Sequence, residues 1–125
     1  MIRPSDVNCS DPHSIRQLIE SFRNLEPAFS SLGAPFLVDA DETRAVIECG
    51  SRALEPLLDA LASDHPKIVM YAAYCLGAIG NGDTLEPLDR LVLAQESKLE
   101  KGPYDQAALN AAAHAAAAIR ARLDR

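Results

Sequence analysis

The chain has 125 residues, 48% apolar and 24% charged, a balance that excludes wholesale disorder and leaves enough material for a single core without disulfides or metals. Its formal net charge of -6 argues against the basic face that tight nucleic-acid binding needs, and no run approaches the ~20 apolar residues of a membrane span. Ala and Leu, strong helix formers, dominate while Trp is absent, so an all-α chain is expected.

Met1 to Asp11 lacks the basic-then-apolar order of a secretory signal, which leads us to expect a soluble cytoplasmic protein. Cys9, Cys49 and Cys75 fit neither a CxxC pair nor a zinc cluster, and three reduced thiols are expected. Cys49 and Cys75 fall at apolar-periodic positions, where Cys acts as a small hydrophobe, and Cys9 lies in a polar, exposed segment.

Asp11 followed by Pro12 has the form of a helix start, an N-cap with Pro at the first helical position. Ile15, Leu18, Ile19 and Phe22 then recur at i, i+3, i+4 and i+7, one buried stripe on a helix of about eleven residues. A shorter helix is expected from Glu26-Pro27 to Leu32, stopped by Gly33 and Pro35. Residues 1–40 read as an N-terminal capping element, and residues 41–125 as helical repeats in one compact domain.

From Asp41 onward short helices alternate with Gly, Ser, Asn and Asp. Helices are expected over Glu42–Cys49, Arg52–Ala62 and Lys67–Ile79, with Gly50 and Ser63–Pro66 as breaks. The second of these carries Leu54, Leu57, Leu58 and Leu61 on one face. Gly80-Asn81-Gly82 is a turn, and Asp83 with Glu86 has capping-box spacing for a fourth helix that buries Leu85, Leu88, Leu91 and Val92. A polar stretch, Gln95 to Gly102, precedes a long Ala-rich helix from about Pro103 to Leu123.

The chain repeats itself. Leu54-Glu55-Pro56-Leu57 returns 31 residues later as Leu85-Glu86-Pro87-Leu88, and Tyr71 to Ile79 returns 40 residues later as Ala111 to Ile119. A period near 30 built of helix pairs is the mark of an α-solenoid. Ala72 to Asp83, followed by Leu85-Glu86-Pro87-Leu88, closely resembles the HEAT-like repeat of the phycobilisome lyase type, a helix ending in Ala-Leu-Gly-x-Ile-Gly, a polar turn with Asp, and a helix with an early Pro. Lys67–Ala94 matches well, Glu42–Ala62 moderately, and Pro103–Leu123 in its first helix only. The resemblance implies a short α-solenoid of six to seven helices, antiparallel pairs stacked with a right-handed drift and no sheet.

Motifs for chemistry are absent. His13, His65 and His114 share no short motif with a carboxylate or cysteine, and nothing spells a nucleophile elbow, a phosphate loop or a zinc-protease helix. Asp39, Asp41 and Thr43 imitate the opening of a calcium loop, but Arg44 stands where Gly is needed and Gly50 where the bidentate Glu belongs. No catalytic, metal or cofactor-binding residue is expected, and the chain is not expected to be an enzyme. His114 occupies the slot of Tyr74, so both are expected to fill or edge a groove between helices.

A binding role is therefore expected, with a protein partner of basic or mixed charge and neither nucleic acid nor membrane. With the Leu stripes buried, Glu55 and Asp59 project from one helix and their repeat equivalents Glu86 and Arg90 from another, which in a solenoid forms a mainly acidic ridge. Glu86 and Arg90 also have the i,i+4 spacing of a solvated ion pair. Tyr71 and Tyr74 offer an aromatic contact or ordinary packing between repeats. The same features suit an adaptor, an immunity protein neutralising a bacterial toxin, or an accessory subunit of a bilin lyase-like enzyme.

Overall fold

The computed structural model describes residues 3–26, 28–29, 35–36, 40–98 and 102–123. The first helix, α1 (Pro12–Glu20), starts where expected: Asp11 Oδ1 accepts from His13 N–H at 3.0 Å and Pro12 takes the first position. It is shorter than its apolar stripe, and a 3-10 turn, Ser21–Asn24, carries Phe22 into the core instead. A two-residue antiparallel ladder, β1 (Ala28–Phe29) with β2 (Pro35–Phe36), stands within the span where a second helix was expected; it is too short to form a layer, and the architecture is all-helical. The remainder of that expected helix, Pro27 and residues 30–32, lies outside the described residues, as do Gly33, Asp39 and residues 99–101 of the polar stretch.

The rest of the helices follow the sequence closely: α2 (Asp41–Glu48), α3 (Leu54–Ala60), α4 (Pro66–Ile79), α5 (Leu85–Glu96) and α6 (Pro103–Leu123). Gly50 ends the α2 segment with φ +64, a left-handed conformation that glycine adopts without a Cβ penalty, and a 3-10 turn then leads into α3. Before α5 the expected cap is corrected. Asn81 Oδ1, not Asp83, accepts from the Asp83 N–H at 2.9 Å, opening a 3-10 turn, Gly82–Thr84. Glu86 bonds forward to Arg90 instead of back to a cap, so no capping box forms there.

One apolar cluster joins all the helices. It holds Ile15, Leu18 and Phe22 from the N-terminal part together with Leu57, Leu76, Leu88 and Ile119, so the first 40 residues contribute to the same core as the repeats. Within each Leu stripe a single residue, Leu57 or Leu88, is wholly buried and its neighbours are half-buried. The main packings set α6 along both α4 and α5, while α3 and α2 lie against α4, and α1 lies on α2 and α3. Lys67 sits over Tyr104 near the two N-termini, and Gly77 and Gly80 meet Ala115 and Ile119 near the C-termini. α4 and α6 therefore run in the same direction. On the other flank Asp89 in α5 pairs with Arg120 at 2.5 Å, and Lys98 just past α5 pairs with Asp105 at 3.2 Å.

The thiol expectation is also corrected. Cys9 and Cys49 form a disulfide with Cα atoms 5.2 Å apart, and Cys75 stays a thiol buried in α4. The two partners are separated by 40 residues, so only the folding of α1 and α2 onto one another brings them together.

A candidate docking groove between α4 and α6

α4 is the central helix, with eight buried residues, yet one narrow strip of it remains open. The strip consists of Tyr74, Gly77 and Ala78, with the buried Met70 lining the same face. α6 supplies the opposite wall with Ala107, Asn110, Ala111, His114, Ala115 and Ala118. Together they line an open, mostly apolar groove of about 580 Å³.

Its floor is set by small residues. A Cβ on Gly77 would stand 3.1 Å from both Cα and Cβ of Ala115, so a glycine opposite an alanine lets the backbones come this close. Gly80 is tighter still: a Cβ there would lie 2.6 Å from Thr84 Oγ1 and 2.7 Å from Ile119 Cδ1. Both helix ends are fastened by cations. Arg122 donates to the carbonyls of Gly77 (2.6 Å) and Gly80 (2.9 Å), where the C-terminal end of α4 carries partial negative charge. Lys67 donates to the Leu25 carbonyl at 2.9 Å while its ammonium lies 5.5 Å from the Tyr104 ring centroid, within cation–π range.

At the start of α6, Asp105 accepts from the Gly102 N–H at 3.0 Å, satisfying a donor that the helix itself cannot reach. That bond, with Lys98 adding to it, holds the Asp105 carboxyl below its usual range against an opposing effect of burial.

The residues singled out in the sequence fall into separate places. Tyr74 and His114 do line one groove, as their matching slots imply. Tyr71 does not reach the surface: it is 1% exposed, its ring tilted against Phe22 at a centroid distance of 5.9 Å. Burial above all, then the neighbouring Tyr104 and Glu26, pushes its phenol above the ordinary range, and Tyr71 is thereby removed from any docking set.

Asp59 is ion-paired with Arg16 of α1 at 2.8 Å, and Glu86 with Arg90 one turn on. Glu55 is exposed on α3. α3 and α5 are not among the closely packed helix pairs. Met70, Asn110 and Ala118 were not legible as site residues. Each looks like an ordinary helix position, and only the close, same-direction approach of α4 and α6 turns them into walls.

Among the described residues no cluster of three or more His, Cys, Asp or Glu could hold a metal ion, and no helix is long and apolar enough to cross a membrane. No family model, no curated protein and no solved structure matches this chain.

Proposed function

We propose that the chain is a protein-binding module, a short HEAT-like stack of helices, and that its main contact surface is the α4/α6 groove. The stack reading is supported by the agreement of repeat and register. α4 and α6 resemble one another at an offset of 40 and meet at offsets of 37 to 39, side by side in one direction. The Asp89–Arg120 and Lys98–Asp105 pairs support an α5 that runs opposite to α6.

The observation that carries the binding reading is the open apolar groove itself. The seam between α2 and α4 is already covered by the chain's own α1 and its 3-10 turn, which touch both helices and press Phe22 onto Tyr71. The next seam, between α4 and α6, has the same character, and Ala78 and His114 stand exposed along it. An amphipathic helix of a partner protein, seating an apolar side chain between Ala78 and His114, is the occupant this shape favours, a mode of recognition familiar from helix-in-groove complexes.

A second surface is the acidic helix face of α3, where Glu55 stands exposed and Asp59 pairs with Arg16. A partner of basic or mixed charge suits it.

The test is co-purification of tagged protein from its native host, followed by two sets of variants. Ala78→Arg and Ala118→Arg place long cations across the groove on helix positions that tolerate them. Glu55→Lys with Asp59→Lys and Glu86→Lys reverses the acidic faces at exposed sites, where the cost to stability is about 0.5 kcal/mol each. Loss of the partner with the first set and retention with the second supports the groove. The opposite pattern moves the contact to the acidic face, and retention with both sets overturns the reading.

A further inference from the structure

Residues 3–10 contribute no fully buried side chain. Their 3-10 turn, Pro4–Asp6, lies on α2, where Pro4 and Ser5 edge a shallow depression with Asp41, Arg44 and Ala45. Two local hydrogen bonds help, Asn8 N–H to Ser14 Oγ at 2.9 Å and Arg52 to Ser10 Oγ at 2.6 Å, each at least partly open to water and so of small net value. Val7 packs against the core, and the covalent link from Cys9 to Cys49 adds a hold of another kind. It does more than pin the tail. It closes a ring that contains α1, the turn bearing Phe22, and α2, and that ring continues into the other helices only through Gly50.

We infer that the Cys9–Cys49 bond is a redox clamp on this N-terminal ring. The inference stands independently of the groove. Cys9 is half-buried whereas Cys49 is 8% exposed, so a dithiol reductant reaches Cys9 Sγ first. The attacking thiolate bonds to Cys9 Sγ and expels Cys49 as a thiolate, which takes up a proton. The second thiol of the reductant then displaces Cys9, also protonated, and leaves as part of the reductant's own disulfide. Two electrons pass from the dithiol to the cysteine pair. Cys75 takes no part, because it is wholly buried in α4 with its sulfur directed at the Thr43 carbonyl 3.9 Å away.

Opening the bond returns the ring's chain entropy to the unfolded ensemble. The α1–α2 part then opens more readily, while α4, α5 and α6 remain tied by the alanine seam, Arg122 and the Asp89–Arg120 pair. The ring contributes Ile15, Leu18, Ile19 and Phe22 to the core, so its opening uncovers an apolar face over α3 and α4. In a reducing cytoplasm such a bond is of the transient, sensing kind; in an oxidising compartment it is a standing staple.

The experiment uses the full chain, purified without reductant, oxidised with a glutathione disulfide buffer, then compared with the same protein in dithiothreitol and with the Cys9→Ser, Cys49→Ser double variant. Alkylation under denaturing conditions modifies one thiol in the oxidised form and three in the reduced form if the bond exists. Native-state hydrogen exchange then reads the consequence. Amides of α1 and α2 exchange faster by roughly 30- to 1,000-fold on reduction, the range expected for releasing a loop of this size, and those of α4 and α6 change far less. The double variant matches the reduced protein with and without reductant. Three alkylated thiols after oxidation overturn the inference. Unchanged exchange also overturns it, as does an equal acceleration in every helix, which makes the bond a general stabiliser instead of a clamp on one part.

Discussion

Tyr71 lies wholly inside, its ring against Phe22 and its hydroxyl in surroundings that disfavour a phenolate. Because burial raises the folded-state pKa above the ordinary 10.0, the stabilisation is complete below that value and is lost as pH rises through the raised one. Thermal melts between pH 8 and 11 are expected to show a fall in stability above pH 10 that Tyr71→Phe reduces; an identical alkaline fall in both proteins sinks this account. The leucines make a simpler case. Leu57 and Leu88 are each 0% exposed, and truncation to Ala is expected to cost ~2–5 kcal/mol in urea unfolding through lost contacts and the cavity left behind. A loss below ~1 kcal/mol at both sites contradicts their place in the core. Their identity was legible from the repeat alone, since they are the same slot 31 residues apart. Tyr71 was ambiguous for a physical reason: a Tyr three residues from another Tyr has the spacing of either a surface patch or a packed face, and only the arrival of Phe22 from a distant turn decides it.

At the level of helices, the alignment of α4 with α6 depends on what happens at the end of α4. Gly80→Ala is expected to destabilise the chain by about 1–3 kcal/mol, since the added methyl meets Thr84 and Ile119 at under 3 Å and also the Leu76 carbonyl oxygen, which belongs to the backbone of α4 and cannot swing aside. Gly82→Ala is the control two residues on. Its Cβ would find only Leu123 Cδ1, at 3.7 Å, and without a left-handed backbone there the substitution is expected to be neutral or to stabilise by about 0.4–1 kcal/mol. Equal losses at both glycines argue against the close approach. Helix boundaries from Asp41 on were readable in the sequence because Gly50, Pro66, Gly80 and Pro103 punctuate it. Three features were not. The cap moved from Asp83 to Asn81 because a 3-10 turn intervenes, and turn type is not visible in residue spacing. Ala28 and Phe29 pair with Phe36 and Pro35, contacts that helix propensity does not weigh. The Cys9–Cys49 bond joins positions 40 apart, with nothing in either local sequence to mark the other.

Over the whole molecule, a single apolar cluster runs from α1 to α6, and with the Cys9–Cys49 bond intact calorimetry is expected to show one cooperative transition, its calorimetric and van't Hoff enthalpies equal. Two resolved transitions in the oxidised chain contradict a shared core. The alanine wall of α6 has a further consequence. Ala107, Ala111, Ala115 and Ala118 possess no side-chain rotamers, so the shape of that wall is the shape of the backbone and is the same before and after a visitor arrives. Only Met70, Tyr74, Asn110 and His114 have side-chain freedom to surrender there. In the complex proposed above, the conformational entropy lost would therefore fall mainly on the partner's helix, and any rigidity already built into that helix would be converted with little loss into affinity.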